Sequence, residues 1–116
     1  VVFSRHTTAA VVLNEDEPML MQDIAAFLEK LAPRNGYYKH NDFSIRTVNM
    51  TEDECPNGHA HAQHWLLGST EVIPIVAGKM ALGRWQRIFL VELDRPRERE
   101  LVVQVWGIAV QAPGHG

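Results

Sequence analysis

An α+β fold, with one long and one short helix packed on a mixed β-sheet, is the architecture this sequence predicts. Three observations carry the prediction. Leu20, Ile24, Phe27, Leu28 and Leu31 recur at helical spacing and form one apolar stripe in the first third. A short apolar stretch closed by Gly68 marks a second helix in the middle. The last third consists of strand-like runs separated by turn signals. All 116 residues fit one domain, residues 1–116, a size that buries roughly two-thirds of the unfolded surface.

In chain order, residues 1–4 and 9–13 are rich in β-branched residues and predict strands, interrupted by the polar Arg5-His6-Thr7-Thr8. The acidic segment Asn14-Glu15-Asp16-Glu17 leads into Pro18, a residue suited to the first turn of a helix. That helix is predicted over residues 18–32, ending before Pro33 and Asn35-Gly36. Residues 34–56 read mainly as loop, with a short strand expected at 45–48. The second helix is predicted over 60–67. Strands are predicted at 71–76, 86–93 and 101–110, the first running to a turn at Ala77-Gly78. Pro74 cannot donate to a sheet ladder and places its strand at an edge or a bulge. The last strand is apolar on both faces, and two helices are too few to cover it, so burial against a neighbouring subunit is expected.

Composition narrows the function. Apolar residues at 46% and charged residues at 22% describe an ordinary globular chain. A net charge of -3 argues against nucleic-acid and anionic-membrane partners, both of which select a basic surface. Cys55 is the lone cysteine, so no intramolecular disulfide forms, and nothing demands an oxidising compartment. No apolar run approaches the ~20 residues of a membrane span. These readings predict a cytoplasmic protein. Because the chain opens at Val1, inside strand-like sequence, a preceding segment is expected.

Histidine is the conspicuous chemical residue: six occur, four of them between positions 40 and 64. His59 and His61 form an H-x-H pair that a strand would aim one way and a helix about 200° apart. His61 and His64, three apart, share a helical face instead. By spacing alone no compact zinc motif is present, and histidines that cap or decorate a helix are the commoner case. Ser4, Ser44 and Ser69 lack a nucleophile elbow. Cys55 lies beside Glu52, Asp53 and Glu54, an acidic setting that disfavours the thiolate.

The segments His6-Thr7-Thr8-Ala9-Ala10, Tyr38-Lys39-His40-Asn41, Asn57-Gly58-His59-Ala60-His61, Leu67-Gly68-Ser69-Thr70 and Gly83-Arg84-Trp85-Gln86, with Asn14-Glu15 and Glu92, occur in one order and at one set of spacings. This set resembles the YjbQ-like family of secondary thiamine-phosphate synthases over about residues 3–107. The resemblance implies a mixed sheet, assembly as a homotrimer, and a further N-terminal strand region not contained in this sequence. It implies a site in which the catalytic His6, His40 and His61 converge in a cleft on a divalent metal ion, zinc or magnesium, or on an anion. Thr7, Asn14, Asn57, Ser69, Thr70, Trp85 and Gln86 are then expected against a small-molecule substrate. Gln63 stands where the family often has Lys, which weakens a phosphate role at that position.

The implied activity joins a pyrimidine-methyl diphosphate to a thiazole phosphate. Diphosphate leaves, and the thiazole nitrogen captures the carbocation. Arg5, Lys39, Arg84 and Arg87 are the cations near motif residues available to the leaving group. Imidazoles suit zinc better than magnesium. A histidine-metal hydrolase or lyase acting on a small phosphorylated metabolite, with Glu15 or Glu92 as base, is therefore a second expectation. A non-catalytic metal- or metabolite-binding trimer is a third.

Overall fold

The computed structural model describes residues 1–108. Its strands are β1 (Val2–Ser4), β2 (Ala9–Glu15), β3 (Thr70–Glu71), β4 (Ile75–Val76), β5 (Lys79–Met80), β6 (Gln86–Glu92) and β7 (Leu101–Val103). The helices are α1 (Pro18–Leu31) and α2 (Gly58–Leu67), with a 3-10 turn at Lys39–Asn41. The α+β class holds. The sheet is not mixed, however: every pairing among the described residues is antiparallel, in three small sheets. The polar corner Arg5-His6-Thr7-Thr8 separates β1 from β2, so β1 pairs with β3 and β7 while β2 pairs with β6.

The β2–β6 ladder is the spine. Its register runs from Ala9 opposite Glu92 to Glu15 opposite Gln86. Ala9, Ala10 and Val11 are completely buried, and Ala10 packs with Leu28 of α1, Ala60 of α2 and Leu93 to form the core. Small residues on β2 let α2 approach closely. On β6, Phe89 and Val91 point to the more buried face, while Ile88 and Leu90 remain exposed.

Helix α1 begins at Pro18, and the Glu17 carboxylate accepts from the Leu20 N–H to cap it. Of its apolar stripe only Leu28 is buried; Ile24, Phe27 and Leu31 are exposed on the single chain. Gln63 is buried on α2, and its amide donates to the carbonyls of Leu28 and Ala32 at 3.2 and 3.1 Å. It gives the Leu28 carbonyl, which also accepts from the Ala32 N–H, a second donor and caps the Ala32 carbonyl at the end of α1, so this position is structural.

Three sequence-based boundaries change. No strand forms at 45–48, because Arg46 folds the loop around itself, donating to the carbonyls of His40, Val48 and Asn49 and pairing with Glu54. The strand expected at 71–76 is two short pieces divided at Val72-Ile73-Pro74, consistent with the missing N–H of Pro74. Ala77 and Gly78, at φ 51° and 76°, form the β4–β5 turn. The last strand is Leu101–Val103, and its expected end at Val110 lies outside the described residues. Among the described residues no helix is long and apolar enough to cross a membrane.

Candidate functional site

The corner between β1 and β2 is held by Ser4. Its buried hydroxyl donates to the Ala9 carbonyl at 2.7 Å and accepts from the His6 N–H at 3.3 Å. His6 therefore leaves the sheet at a fixed point. His40 lies in the 3-10 turn, and the Asn41 side chain ties that turn to α2 by accepting from the Gly58 N–H at 2.9 Å. His61 lies in the first turn of α2. Their placement brings His6, His40 and His61 to the wall of one cleft of about 870 Å³. The rings of His40 and His61 meet edge to face, with centroids 4.5 Å apart.

The three imidazoles are not equivalent. His6 Nε2 accepts from the Glu100 N–H at 2.7 Å, which leaves Nδ1 as the ring's free nitrogen. Burial, and next the neighbouring His40, lower the pKa of His61 below the ordinary 6.5. Among the described residues no three His, Cys, Asp or Glu side chains are grouped tightly enough to hold a metal ion.

The rest of the wall mixes five cations with threonine, asparagine and apolar side chains. Arg5, Lys39, Arg46, Arg97 and Arg99 line the cleft, against a single carboxylate, Glu54. Arg97 pairs with Asp94, and Arg99 with Glu92, its Nε lying 2.7 Å from Oε1. Both guanidiniums also donate to the hydroxyl of buried Thr8, at 3.2 and 2.9 Å. Asp94 and Glu92 sit behind the wall, so the pairs orient the arginines while N–H donors remain for a ligand. Arg99 holds the Glu92 carboxyl below its usual range, which makes Glu92 a poor base.

Other expected residues separate. Thr7 and Asn57 line the cleft. The Asn57 amide donates to Asp94 at 3.3 Å, and its buried Oδ1 has no partner. Asn14, Glu15, Trp85 and Gln86 stand at the opposite end of the β2–β6 ladder, about 20 Å along the strands from the His6 end. Within one chain they do not join the histidines. Trp85 is 60% exposed, with the Arg84 guanidinium 4.8 Å over its ring, and Arg87 donates to the carbonyls of Arg84 and Gln86. Thr70 lies exposed in β3. Ser69 contacts His64 beside the cleft. The sequence reading missed Thr8, Arg46, Arg97 and Arg99. The run Asp94-Arg95-Pro96-Arg97-Glu98-Arg99, with three arginines in six residues, is the signal that could have found two of them.

His59 is 1% exposed in α2, beneath α1, and neither ring nitrogen makes a hydrogen bond. Burial lowers its pKa, outweighing the Leu93 backbone, which favours the charged form. His64 is lowered by burial as well. In the unfolded chain these rings protonate near 6.5, whereas the folded state keeps them neutral to lower pH. The stability they contribute is complete above about pH 7 and is lost as pH falls through 6.5 toward the folded values. Urea midpoints are therefore expected to be higher at pH 7.5 than at pH 5.5, with the difference reduced in His59→Leu. An equal midpoint at both pH values would contradict the assignment.

The fold and the cleft define a small α+β protein with a cationic, imidazole-lined site. Residues 1–108 match the family model described as UPF0047 protein YjbQ-like. The chain belongs to this family. It is 42% identical over 103 residues to a UPF0047 protein of Archaeoglobus fulgidus, covering 89% of this chain and 73% of that protein. A UPF0047 protein of Methanothermobacter thermautotrophicus is 40% identical, over 91% of this chain and 66% of its own length. The crystal structure of a hypothetical protein from Aeropyrum pernix K1 superposes with a TM-score of 0.73 at 44% identity, covering 86% of this chain and 66% of that one. A family member of Clostridium acetobutylicum gives a TM-score of 0.74 at 38% identity, over 89% and 70%. The chain thus spans about two thirds to three quarters of these relatives.

Proposed function

We propose that the cleft binds a small phosphorylated metabolite and that the protein is a transferase of the thiamine-phosphate-synthase type. The observation that carries this reading is the wall itself: five cationic side chains and three imidazoles line one cleft, with Arg5, Arg46, Arg97 and Arg99 oriented by Glu100, Glu54, Asp94 and Glu92 and Lys39 in no ion pair among the described residues. In that reaction the carbon–oxygen bond to diphosphate breaks, the bonding pair leaves with the diphosphate, and the thiazole nitrogen bonds to the carbon. The charge that develops lies on the leaving oxygens, where Arg97, Arg99 and Lys39 supply N–H donors. Neutral His61 is suited to handle a proton near pH 7. A divalent cation carried by the diphosphate would neutralise further charge on it.

Assembly as a homotrimer is part of the proposal. The exposed Ile24, Phe27 and Leu31 of α1 and Val102, Val103 and Val105 at the β7 edge support it. So is a cytoplasmic location, which rests on composition. The test is pyrophosphate release from the two substrates with magnesium added. Single His6→Ala, His40→Ala and His61→Ala variants are expected to lose about 100-fold in turnover, while His59→Ala retains it. Absence of turnover in the unaltered protein, or equal losses in His59→Ala, would remove the transferase reading. Stoichiometric zinc in the purified protein, with hydrolysis of phosphate esters, would favour the metal hydrolase instead.

A further inference from the structure

A second cavity, of about 420 Å³, opens on the other side of His61 and shares both Thr7 and His61 with the cationic cleft. Its remaining walls are His64, Trp65, Gly68 and Ser69. The two compartments differ in chemistry. Every Arg and Lys on the walls belongs to the first. The second presents an indole, a hydroxyl and imidazoles.

Its walls are fixed by the end of α2. Gly68, at φ +88°, turns the chain and donates to the His64 carbonyl at 2.8 Å. Its own carbonyl accepts from the Val11 N–H at 3.2 Å, and that of Ser69 accepts from the Ser4 N–H at 2.8 Å. The turn is thereby tied to β1 and β2. The Ser69 hydroxyl and His64 Nε2 lie 2.9 Å apart, a neutral hydrogen-bonding pair. Burial holds His64 below its ordinary pKa, so the pair stays uncharged near pH 7. Trp65, in the last turn of α2, is 88% exposed. Its indole stands beside the cavity with its face open, and a flat ring is the natural partner for that face.

We infer that the second compartment takes the uncharged aromatic ring of a phosphorylated substrate, stacked on Trp65 beside the Ser69–His64 pair, with its phosphate in the cationic cleft and His61 at the junction. A second anionic group is disfavoured there, since no Arg or Lys faces it. The inference rests on the reading of the cleft as a phosphate site, and the two are separable by experiment.

Methyl phosphate and benzyl phosphate share the anion and differ in the ring, so calorimetric titration of each isolates the ring's contribution. Benzyl phosphate is expected to bind at least tenfold more tightly than methyl phosphate and to quench tryptophan fluorescence. In Trp65→Ala, which removes an exposed side chain and leaves the core untouched, methyl phosphate should bind as before and the benzyl preference should fall below twofold. Binding of both esters without a preference, or a preference that survives Trp65→Ala, overturns the ring compartment and leaves the phosphate site standing. Binding of neither ester overturns both. A change of oligomeric state in Trp65→Ala, seen by sedimentation, would assign the indole to a subunit contact and also overturn the inference.

Discussion

Replacing Gly58 by alanine is expected to damage the site more than any other change to a residue outside its wall. A Cβ at Gly58 would lie 2.6 Å from Tyr38 Cβ and 2.7 Å from Tyr38 Cγ, with Asn41 Oδ1 at 3.2 Å. The first two atoms are close to the backbone and cannot swing away, so the 3-10 turn must move as a body. His40 would then leave its edge contact with His61, and the hydrogen bond from the Gly58 N–H to Asn41 would stretch. Overpacking of this kind costs about 1–3 kcal/mol, only partly offset by the better helix propensity of alanine. Denaturant melts should show the loss, and affinity for pyrophosphate should fall at least tenfold. A Gly58→Ala protein as stable as the parent, with unchanged affinity, would show that the close approach of Tyr38 to α2 is not required.

Arg99→Ala is the second large effect. The Arg99 side chain is 7% exposed, and it serves Glu92, the Thr8 carbonyl and the Thr8 hydroxyl at once. Its removal leaves the Glu92 carboxylate, 27% exposed, without its cation. Breaking such a pair costs about 3–5 kcal/mol when fully buried, and access of water to Glu92 moves the expectation to the lower end, about 3 kcal/mol. Arg99→Lys keeps the charge but not the forked geometry and should recover part of the loss. Because Arg99 also holds the Glu92 carboxyl low, its removal should raise that pKa toward the unfolded value and flatten the loss of stability that the parent protein shows below about pH 5. Urea denaturation reads both effects. A change below about 0.5 kcal/mol, typical of surface substitutions, would show that the pair contributes little.

Much of the scaffold was legible in the sequence because it rests on local periodicity. The stripe from Leu20 to Leu31 marked α1, Gly68 marked the end of α2, and the strand expected at 86–93 forms as β6. Pairing partners were not legible, since antiparallel and mixed sheets place the same residues in strands. The loop 42–56 was misread near Ile45 because its shape comes from one long-armed residue, Arg46, whose carbonyl acceptors leave no pattern. At the site, the histidines were found as residue types in recurring motifs. Arg97 and Arg99 were not, because the return of the loop after β6 to Thr8 depends on contacts some ninety residues apart. Trp85 and Gln86 belong to a motif, yet the ladder register carries them to the far end of the spine.

The central claim is that the cationic cleft binds a phosphate group, and Lys39 tests it most directly. Lys39 lines the cleft and forms no ion pair among the described residues, so its removal leaves no stranded carboxylate. Arg84 and Arg87 are cations of the same motif set at the other end of the β2–β6 ladder. Calorimetric titration of pyrophosphate into the parent protein, Lys39→Ala and Arg84→Ala/Arg87→Ala at fixed salt separates the two locations. Saturable binding that weakens at least tenfold in Lys39→Ala and is unchanged in the double variant is the predicted result. No binding to the parent, or a loss confined to the Arg84 and Arg87 variant, would contradict it.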